Sequence, residues 1–220
     1  MNEPIRIDVW ADIACPWCYI GKRRMEAGIG MFGNADVVVR YRSFQLDPGM
    51  PDDFDGGAAE YLARHKGIPE DRARAMQAHV ASVAAGVGLE YDFSSQRPAN
   101  SHRAHQLIHL ARAHGVEDQV VEALYRAHFV DGRHIGQREV LVDIAVEAGI
   151  EASTAAGALE QDTYARDVDA DIDRALQLGV TGVPFFVFNG RLAVSGAQPP
   201  ETFLQALHQA ADPTASPPGR

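Results

Sequence analysis

Apolar and polar residues alternate in four short segments, two in the first fifth of the chain and two near its end. The first pair covers residues 5–10 and 36–44, and the second pair covers residues 183–188 and 192–196. A period of two in segments rich in β-branched and aromatic residues predicts β-strands. Asn189-Gly190 separates the last two segments, and this dipeptide is a strong signal for a tight hairpin.

Elsewhere the apolar residues recur with the spacing of α-helices. After the first strand, the pattern predicts a helix that ends near Gly30 or Gly33, because glycine commonly ends helices. Further helices are predicted over residues 58–66, 69–86 (or to 88), 101–115, 117–130, 138–148, 153–178 and 199–211. The helix over residues 153–178 is expected to break near Gln161.

The order of these elements is β-α-β, a long helical block, and then α-β-β-α. Without the block, this is the arrangement of thioredoxin, in which parallel strands are joined by a crossover helix. We therefore predict an α/β, thioredoxin-like fold with a large all-helical insertion after the second strand. Residues 1–56 and 179–212 would form the thioredoxin-like domain, residues 57–178 a helical lid, and residues 213–220, with three prolines, a disordered tail.

The only two cysteines, Cys15 and Cys18, lie where the first strand gives way to the first helix. A helix N-terminus stabilises an anion and can lower a cysteine pKa from about 8.5 to roughly 3.5–7.5. We predict that Cys15 attacks and that Cys18 resolves. Pro16 suits the first helical turn, and Trp17 is placed either to shield the pair or to offer an apolar contact to a substrate.

Three other interpretations of the cysteine pair are weaker. As a structural disulfide, a loop of about four residues would contribute only about 2 kcal/mol. A structural zinc site needs about four ligands, and the sequence has no second CxxC motif, so no metal site is predicted. Two inert core thiols remain as the third interpretation.

Charge and hydropathy narrow the partners. The formal net charge is −10, which disfavours binding to nucleic acid. No run approaches the roughly 20 apolar residues of a membrane span, and residues 1–4 have no leader-like pattern. We expect a cytoplasmic protein, and in that compartment a vicinal cysteine pair is more often catalytic than structural.

A second candidate site lies before the third strand, at Thr181-Gly182-Val183-Pro184. In a thioredoxin-like sheet this loop lies beside the CxxC motif. A cis peptide bond before Pro184 would leave the backbone of Val183 free to pair with an extended substrate. A simple proline at the start of a strand is the alternative.

Several polar residues have open roles. Asp12 is placed either to shuttle a proton to Cys18 or, as we favour, to accept hydrogen bonds from N–H groups near the helix start. Asn100 is expected to cap its helix and is a secondary candidate for contact with a bound thiol. The cluster Lys22, Arg23 and Arg24 is expected on a solvated helix face. His102, His105 and His109 share one helix arc, and we expect them to be solvated or to face the lid.

Four segments together carry a resemblance to a known family. They are Cys15-Pro16-Trp17-Cys18-Tyr19-Ile20-Gly21, the segment with Asn100, Ser101, Ala104 and His105, Gly132-Arg133-His134-Ile135 followed by Glu139-Val140-Leu141, and Gly179-Val180-Thr181-Gly182-Val183-Pro184-Phe185-Phe186. The chain resembles the FrnE branch of the DsbA-like family, which is similar to 2-hydroxychromene-2-carboxylate isomerases and kappa-class glutathione transferases. The resemblance covers about residues 5–210. It implies a thioredoxin fold with Cys15 as nucleophile, Cys18 as resolving residue and Pro184 as the cis-proline.

The predicted function is therefore a thiol–disulfide oxidoreductase. Its substrates would be proteins or small molecules that carry a disulfide or dithiol, contacted by Pro16, Trp17, Val183 and Asn100. No tightly bound cofactor is expected, although a low-molecular-weight thiol would serve as reductant. One alternative is an isomerase or transferase that acts on a small aromatic or polyketide-like substrate with a bound thiol. Another is a redox sensor or chaperone-like binder.

Overall fold

The computed structural model describes residues 3–33 and 36–212, and in these residues it contains one four-stranded sheet. The strands are β1 (Ile5–Ala11), β2 (Val37–Ser43), β3 (Phe185–Phe188) and β4 (Leu192–Ser195), and their order in the sheet is β2-β1-β3-β4. β1 and β2 are parallel, whereas β3 is antiparallel to both β1 and β4. This is the predicted α/β class, and the predicted tail over residues 213–220 lies outside the described residues.

Local chemistry explains the two connections within the sheet. Helix α1 (Pro16–Phe32) joins the parallel strands β1 and β2 and ends at Gly33, as predicted. Between β3 and β4, Asn189 has a φ of 49° and Gly190 a φ of 68°. A two-residue hairpin of this kind requires positive φ at both positions, which asparagine and glycine tolerate best.

Alternate residues of the strands face two different helical layers. Ile7, Val9 and Phe186 are buried in the main core, together with residues of α1 and of the last helix, α9 (Pro200–Ala211). Trp10 points to the other layer, where it packs with Ala175 and Val180. The sheet is therefore covered on both faces, which suits strands that are apolar on both sides.

Seven helices lie between β2 and β3 in the described chain. They are α2 (Ala58–Lys66), α3 (Glu70–Ala85), α4 (His102–Ala113), α5 (Glu117–Phe129), α6 (Arg138–Glu147), α7 (Ala152–Glu160) and α8 (Ala165–Gln177). The break predicted near Gln161 separates α7 from α8. Buried residues of α4, α5 and α6 belong to the same core cluster as the residues of β1. The helical block is therefore packed against the sheet and shares its core, and its assignment as a separate lid domain stays a prediction.

The solvated face predicted for Lys22, Arg23 and Arg24 is wrong for Lys22. This side chain is only 2% exposed, and its Nζ lies 3.1 Å from Asp118 and 3.2 Å from Glu122 of α5, and also contacts Glu26. Arg23 is half-buried and pairs with Glu122 as well. The reason is that α5 covers this side of α1 and offers carboxylates to its basic residues.

In the described part of the chain, no helix combines the length and the apolar character that crossing a membrane requires.

Candidate active site

The two cysteines lie in the first turn of α1, in a segment that we call the CxxC turn (residues 12–18). Cys15 is the N-cap residue with extended backbone angles, and Pro16 occupies the first helical position. The N–H of Cys18 donates to the carbonyl oxygen of Cys15 at 3.0 Å. Both side chains are buried thiols, 4% and 2% exposed. Cys15 therefore sits at the positive end of the helix dipole.

The two thiols differ in their surroundings. Burial, followed by the neighbouring Cys15, raises the pKa of Cys18 well above its usual range. Cys18 is thus held as a protonated thiol beneath the turn. Cys15 instead lines an open cleft, and its Sγ donates to the carbonyl oxygen of Val183 at 3.8 Å.

Asp12 holds the turn together through both its side chain and its backbone. Its Oδ1 accepts a hydrogen bond from the N–H of Ala14 at 3.0 Å, and its Oδ2 accepts one from the N–H of Leu46 at 2.8 Å. Its carbonyl oxygen accepts from the N–H of Cys15 at 3.1 Å. These contacts confirm the interpretation of Asp12 as an acceptor of loop N–H bonds.

The charge of Asp12 is stabilised although the residue is fully buried. Burial by itself would raise the pKa of this carboxyl, but nearby His105, the Leu46 N–H and the Ser101 side chain outweigh burial and hold the pKa below its usual range. The carboxylate is 1% exposed. Asp12 is therefore a fixed negative charge under the CxxC turn.

The loop before β3 approaches the same turn. The Val183–Pro184 peptide bond is cis, as the resemblance implies, and Pro184 is buried. The ring of Pro184 packs so tightly on α1 that a Cβ on Gly21 would lie 2.8 Å from its Cγ. A glycine at position 21 thus permits the close approach that places Val183 beside Cys15.

Cys15 opens into a cleft of about 390 Å³ between the CxxC turn and the helical block. Trp17 forms one side of the cleft, and its ring centroid lies 6.4 Å from that of His79 on α3. The apolar side chains on the walls are Ala14, Pro16, Leu46, Met50, Ala58, Leu62, Ala73, Met76, Val80, Phe93, Pro98 and Ala99. A cleft of this size and character suits an apolar small molecule or an extended peptide.

The fold and this geometry agree with comparisons to known proteins. The sequence matches the family model of the DSBA-like thioredoxin domain over residues 6–208. The chain belongs to this family. A probable DsbA oxidoreductase from Streptomyces coelicolor is 41% identical, with a TM-score of 0.87 over 94% of this chain and 89% of that chain.

Two more distant structures share the DSBA-like fold. Cytosolic disulfide reductase DsbM from Pseudomonas aeruginosa, solved with GSH, is 18% identical with a TM-score of 0.65, over 92% of this chain and 97% of its own. A 2-hydroxychromene-2-carboxylate isomerase is 15% identical with a TM-score of 0.68, over 93% and 95% of the two chains. At these identities the likeness shows the fold alone.

Asn100 lies near the cleft of this DSBA-like chain but is absent from the side chains that line it. Its Oδ1 accepts from the N–H of His102 at 2.9 Å and from Gln45 at 2.8 Å, and its amide nitrogen donates to the Met50 carbonyl oxygen at 2.9 Å. The capping role predicted for Asn100 is thus present, together with a tie to the loop after β2. Its contact with a substrate stays a prediction.

The expectation of a solvated histidine stripe is wrong for two of its three members. His105 is 2% exposed and His109 is 7% exposed, because β1, β2 and α8 contribute residues that pack over that arc of α4. The Nε2 atom of His105 lies 3.6 Å from Oδ1 of Asp12, and that of His109 lies 3.3 Å from Oδ2 of Asp171. In the described residues, no group of three or more His, Cys, Asp and Glu side chains is placed to hold a metal ion.

One buried polar pair in the cleft wall was missed by the sequence reasoning. His128 of α5 lies 2.8 Å from the amide nitrogen of Gln96, and both residues line the cleft. Burial lowers the pKa of His128 to about 4, so its ring is neutral at pH 7. The available signal was the spacing from Val121 and Leu124, which puts His128 on the apolar stripe of α5.

Proposed function

We propose that the protein is a thiol–disulfide oxidoreductase that works through a mixed disulfide on Cys15. The observation that carries the proposal is the division of labour between the two thiols. Cys15 lies at a helix N-terminus, faces the cleft and touches the Val183 carbonyl oxygen, whereas Cys18 is held as a buried thiol one turn further. This arrangement favours attack by the first sulfur and a delayed reaction of the second.

The steps follow from this placement. The Cys15 thiolate attacks a substrate disulfide, an S–S bond to Cys15 forms, and one substrate sulfur leaves as a thiolate that takes a proton from solvent. Cys18 then attacks the Cys15 sulfur, releases the second substrate thiol and leaves Cys15 and Cys18 oxidised. The substrate gains two electrons and the protein loses two. The reverse sequence oxidises a dithiol substrate.

The cleft supplies the binding surface in this proposal. Pro16 and Trp17 offer flat apolar contacts at its rim, and the exposed backbone of Val183 pairs with an extended substrate segment. Asn100 orients the loop that borders the cleft and is the secondary candidate for direct contact.

The reductant that resets the pair is proposed to be a low-molecular-weight thiol or a thioredoxin-type protein. The DSBA-like neighbour DsbM was solved with GSH, which supports the choice of a small thiol. We also propose a cytoplasmic location and membership in the FrnE branch, on the basis of the sequence motifs. No tightly bound cofactor is part of the proposal.

Insulin-disulfide reduction with a small dithiol as electron donor tests the proposal. Cys15→Ser should abolish the catalysed rate, because serine does not form the mixed disulfide. Cys18→Ser should retain the attack and accumulate a covalent Cys15 adduct that mass spectrometry detects and a reductant releases. A Cys15→Ser protein that reduces insulin at the wild-type rate would contradict the proposal.

The apolar cleft supports a second candidate function. Its volume lies within the range of small-molecule sites, roughly 300–1,000 Å³. In this alternative, the protein is an isomerase or transferase for a small aromatic or polyketide-like compound with a bound low-molecular-weight thiol. Turnover of such a compound that persists in Cys15→Ser, alongside absent insulin reduction in the wild type, would favour this alternative.

A further inference from the structure

A buried imidazole lies directly behind the CxxC turn without a hydrogen bond of its own at one nitrogen. Nε2 of His105 finds no hydrogen-bond partner in the described chain, and the side chain is 2% exposed. Its nearest charged neighbour is Oδ1 of Asp12 at 3.6 Å, just outside hydrogen-bond distance. Such an orphaned buried nitrogen is costly, so its place next to the reactive turn calls for an explanation.

Asp12 connects this imidazole to the resolving cysteine. Its oxygens accept N–H bonds from Ala14 and Leu46. A main-chain hydrogen bond from Asp12 reaches the Cys18 thiol, and the carboxylate charge of Asp12 also acts on that thiol. The three side chains therefore form a buried series in the order His105, Asp12, Cys18.

The other ionisable groups around this series keep fixed protonation states near neutral pH. The tyrosines Tyr41 and Tyr125 have their pKa values raised by burial, and His128 has its pKa lowered to about 4 by burial. Burial opposes the charge of Arg42, but its contacts with Asp8 and Asp171 raise its pKa above the usual value. The groups that face the series from α1, β2, α5 and the residue before α4 are Cys15, Tyr41, Arg42, Tyr125, His128 and Ser101.

We propose that His105 is a positioning residue of the redox centre, whose imidazole, acting through the Asp12 carboxylate, holds the proton that Cys18 gives up during resolution. The inference rests on the proposed function. An imidazole is the side chain that most readily exchanges a proton near neutrality, and a positioned acceptor accelerates proton transfer from a reacting group.

The step balances as follows. Cys18 loses its proton to the Asp12–His105 pair and attacks the Cys15 sulfur of the mixed disulfide. The Cys15–Cys18 bond forms, the bond from Cys15 to the substrate sulfur breaks, and the substrate leaves as a thiolate with the electron pair of that bond. When the disulfide is reduced again, the pair returns the proton to the Cys18 sulfur.

The chain offers a matched control on the same helix. His109 lies one turn after His105 and is similarly buried, at 7% exposed. It also faces an aspartate, because its Nε2 lies 3.3 Å from Asp171 and 3.2 Å from the hydroxyl of Ser43. The described contacts of His109 do not include the CxxC turn, so His109→Gln reproduces the loss of a buried histidine without touching the series.

The test is a single-turnover measurement of the Cys18 step. Cys15 is first linked to a coloured aromatic thiol, and release of this thiol by Cys18 is followed from about pH 5 to about pH 9. For wild type and His109→Gln we expect similar pH profiles. For His105→Gln we expect release to slow at least about tenfold at neutral pH and to rise in proportion to hydroxide, because solvent must then take the proton.

Other results would overturn the inference. A His105→Gln profile equal to that of the wild type excludes the proposed role, and so does an equal displacement in His109→Gln, which would indicate general loosening of α4. If thermal unfolding shows that His105→Gln does not fold, the same profile is measured on Asp12→Asn, where an unchanged profile is equally fatal. Wild-type release that does not depend on Cys18 would instead overturn the proposed function, and the inference with it.

Discussion

The close contact between Gly21 and Pro184 gives a quantitative test of how the candidate site is assembled. In Gly21→Ala the new methyl group would lie 2.8 Å from Cγ of Pro184 and 3.3 Å from the ring of Phe186. Both neighbours are rigid, so α1 and the loop before β3 must separate. Overpacking of this kind costs about 1–3 kcal/mol, whereas alanine in place of glycine inside a helix stabilises by about 0.5–1 kcal/mol.

A second glycine of α1 isolates the steric term. Gly30 is exposed, and a Cβ there would meet no atom within 4 Å. Gly30→Ala should therefore gain the helix-propensity term alone, about 0.5–1 kcal/mol. Because that term is common to both variants, Gly21→Ala should unfold at a free energy about 1–3 kcal/mol below that of Gly30→Ala. Urea-induced unfolding of the two proteins measures this difference.

The same displacement should impair activity. If the loop moves away from α1, the Val183 carbonyl oxygen no longer lies 3.8 Å from the Cys15 sulfur, and an extended substrate is misplaced. A misplacement of about 1 Å can reduce a rate by as much as a hundredfold, so we expect Gly21→Ala to lose about tenfold or more in insulin reduction. Gly30→Ala should match the wild type. A Gly21→Ala protein as stable as Gly30→Ala and fully active would refute this account of the site.

Two further predictions concern buried charge. Lys22→Met keeps the stem of the side chain but leaves the carboxylates of Glu26 and Glu122 without their buried cation, so unfolding in urea should show a loss of about 3 kcal/mol. The folded-state pKa of His128, about 4, lies below the unfolded value near 6.5. Its contribution to stability is therefore complete above about pH 6.5 and is lost as the pH falls toward 4, which amounts to about 2 kcal/mol between pH 7 and 5. The drop in unfolding free energy over that interval should be smaller by this amount in His128→Gln.

Features governed by a few consecutive residues were predictable from the sequence. The cysteine pair at the strand-to-helix junction, the Asn189-Gly190 hairpin and the helix end at Gly33 all depend on local spacing and on backbone preferences. The order of these elements was enough to indicate the thioredoxin-like fold, since parallel strands joined by a helix leave few arrangements.

The surroundings of individual charged residues were not predictable in this way. Lys22, His105 and His109 each lie on a helix whose own pattern marks that position as polar. They are buried because a distant segment covers them: α5 over Lys22, and β1, β2 and α8 over the two histidines. Periodicity gives the face on which a residue lies, but not which partner packs against that face.

The same long-range packing gives the two sides of the helical block different roles. On one side, residues of α2 and α3 such as Leu62 and Met76 line the cleft and face the substrate. On the other side, the block supports the CxxC turn from below: Tyr91 donates to the carbonyl oxygen of Pro16 at 2.7 Å, and Tyr125 donates to that of Asp12 at 3.4 Å.

These two sets of contacts should be separable by experiment, because they act on different steps. Changes among the cleft residues of α2 and α3 alter contacts that form only with substrate, so they should change substrate affinity and leave the Cys18 step intact. Changes at Tyr91 or Tyr125 remove hydrogen bonds to the backbone of the turn, so they should alter the exchange rate for every substrate alike. A helical block that merely covered the cleft would affect the first of these quantities and never the second.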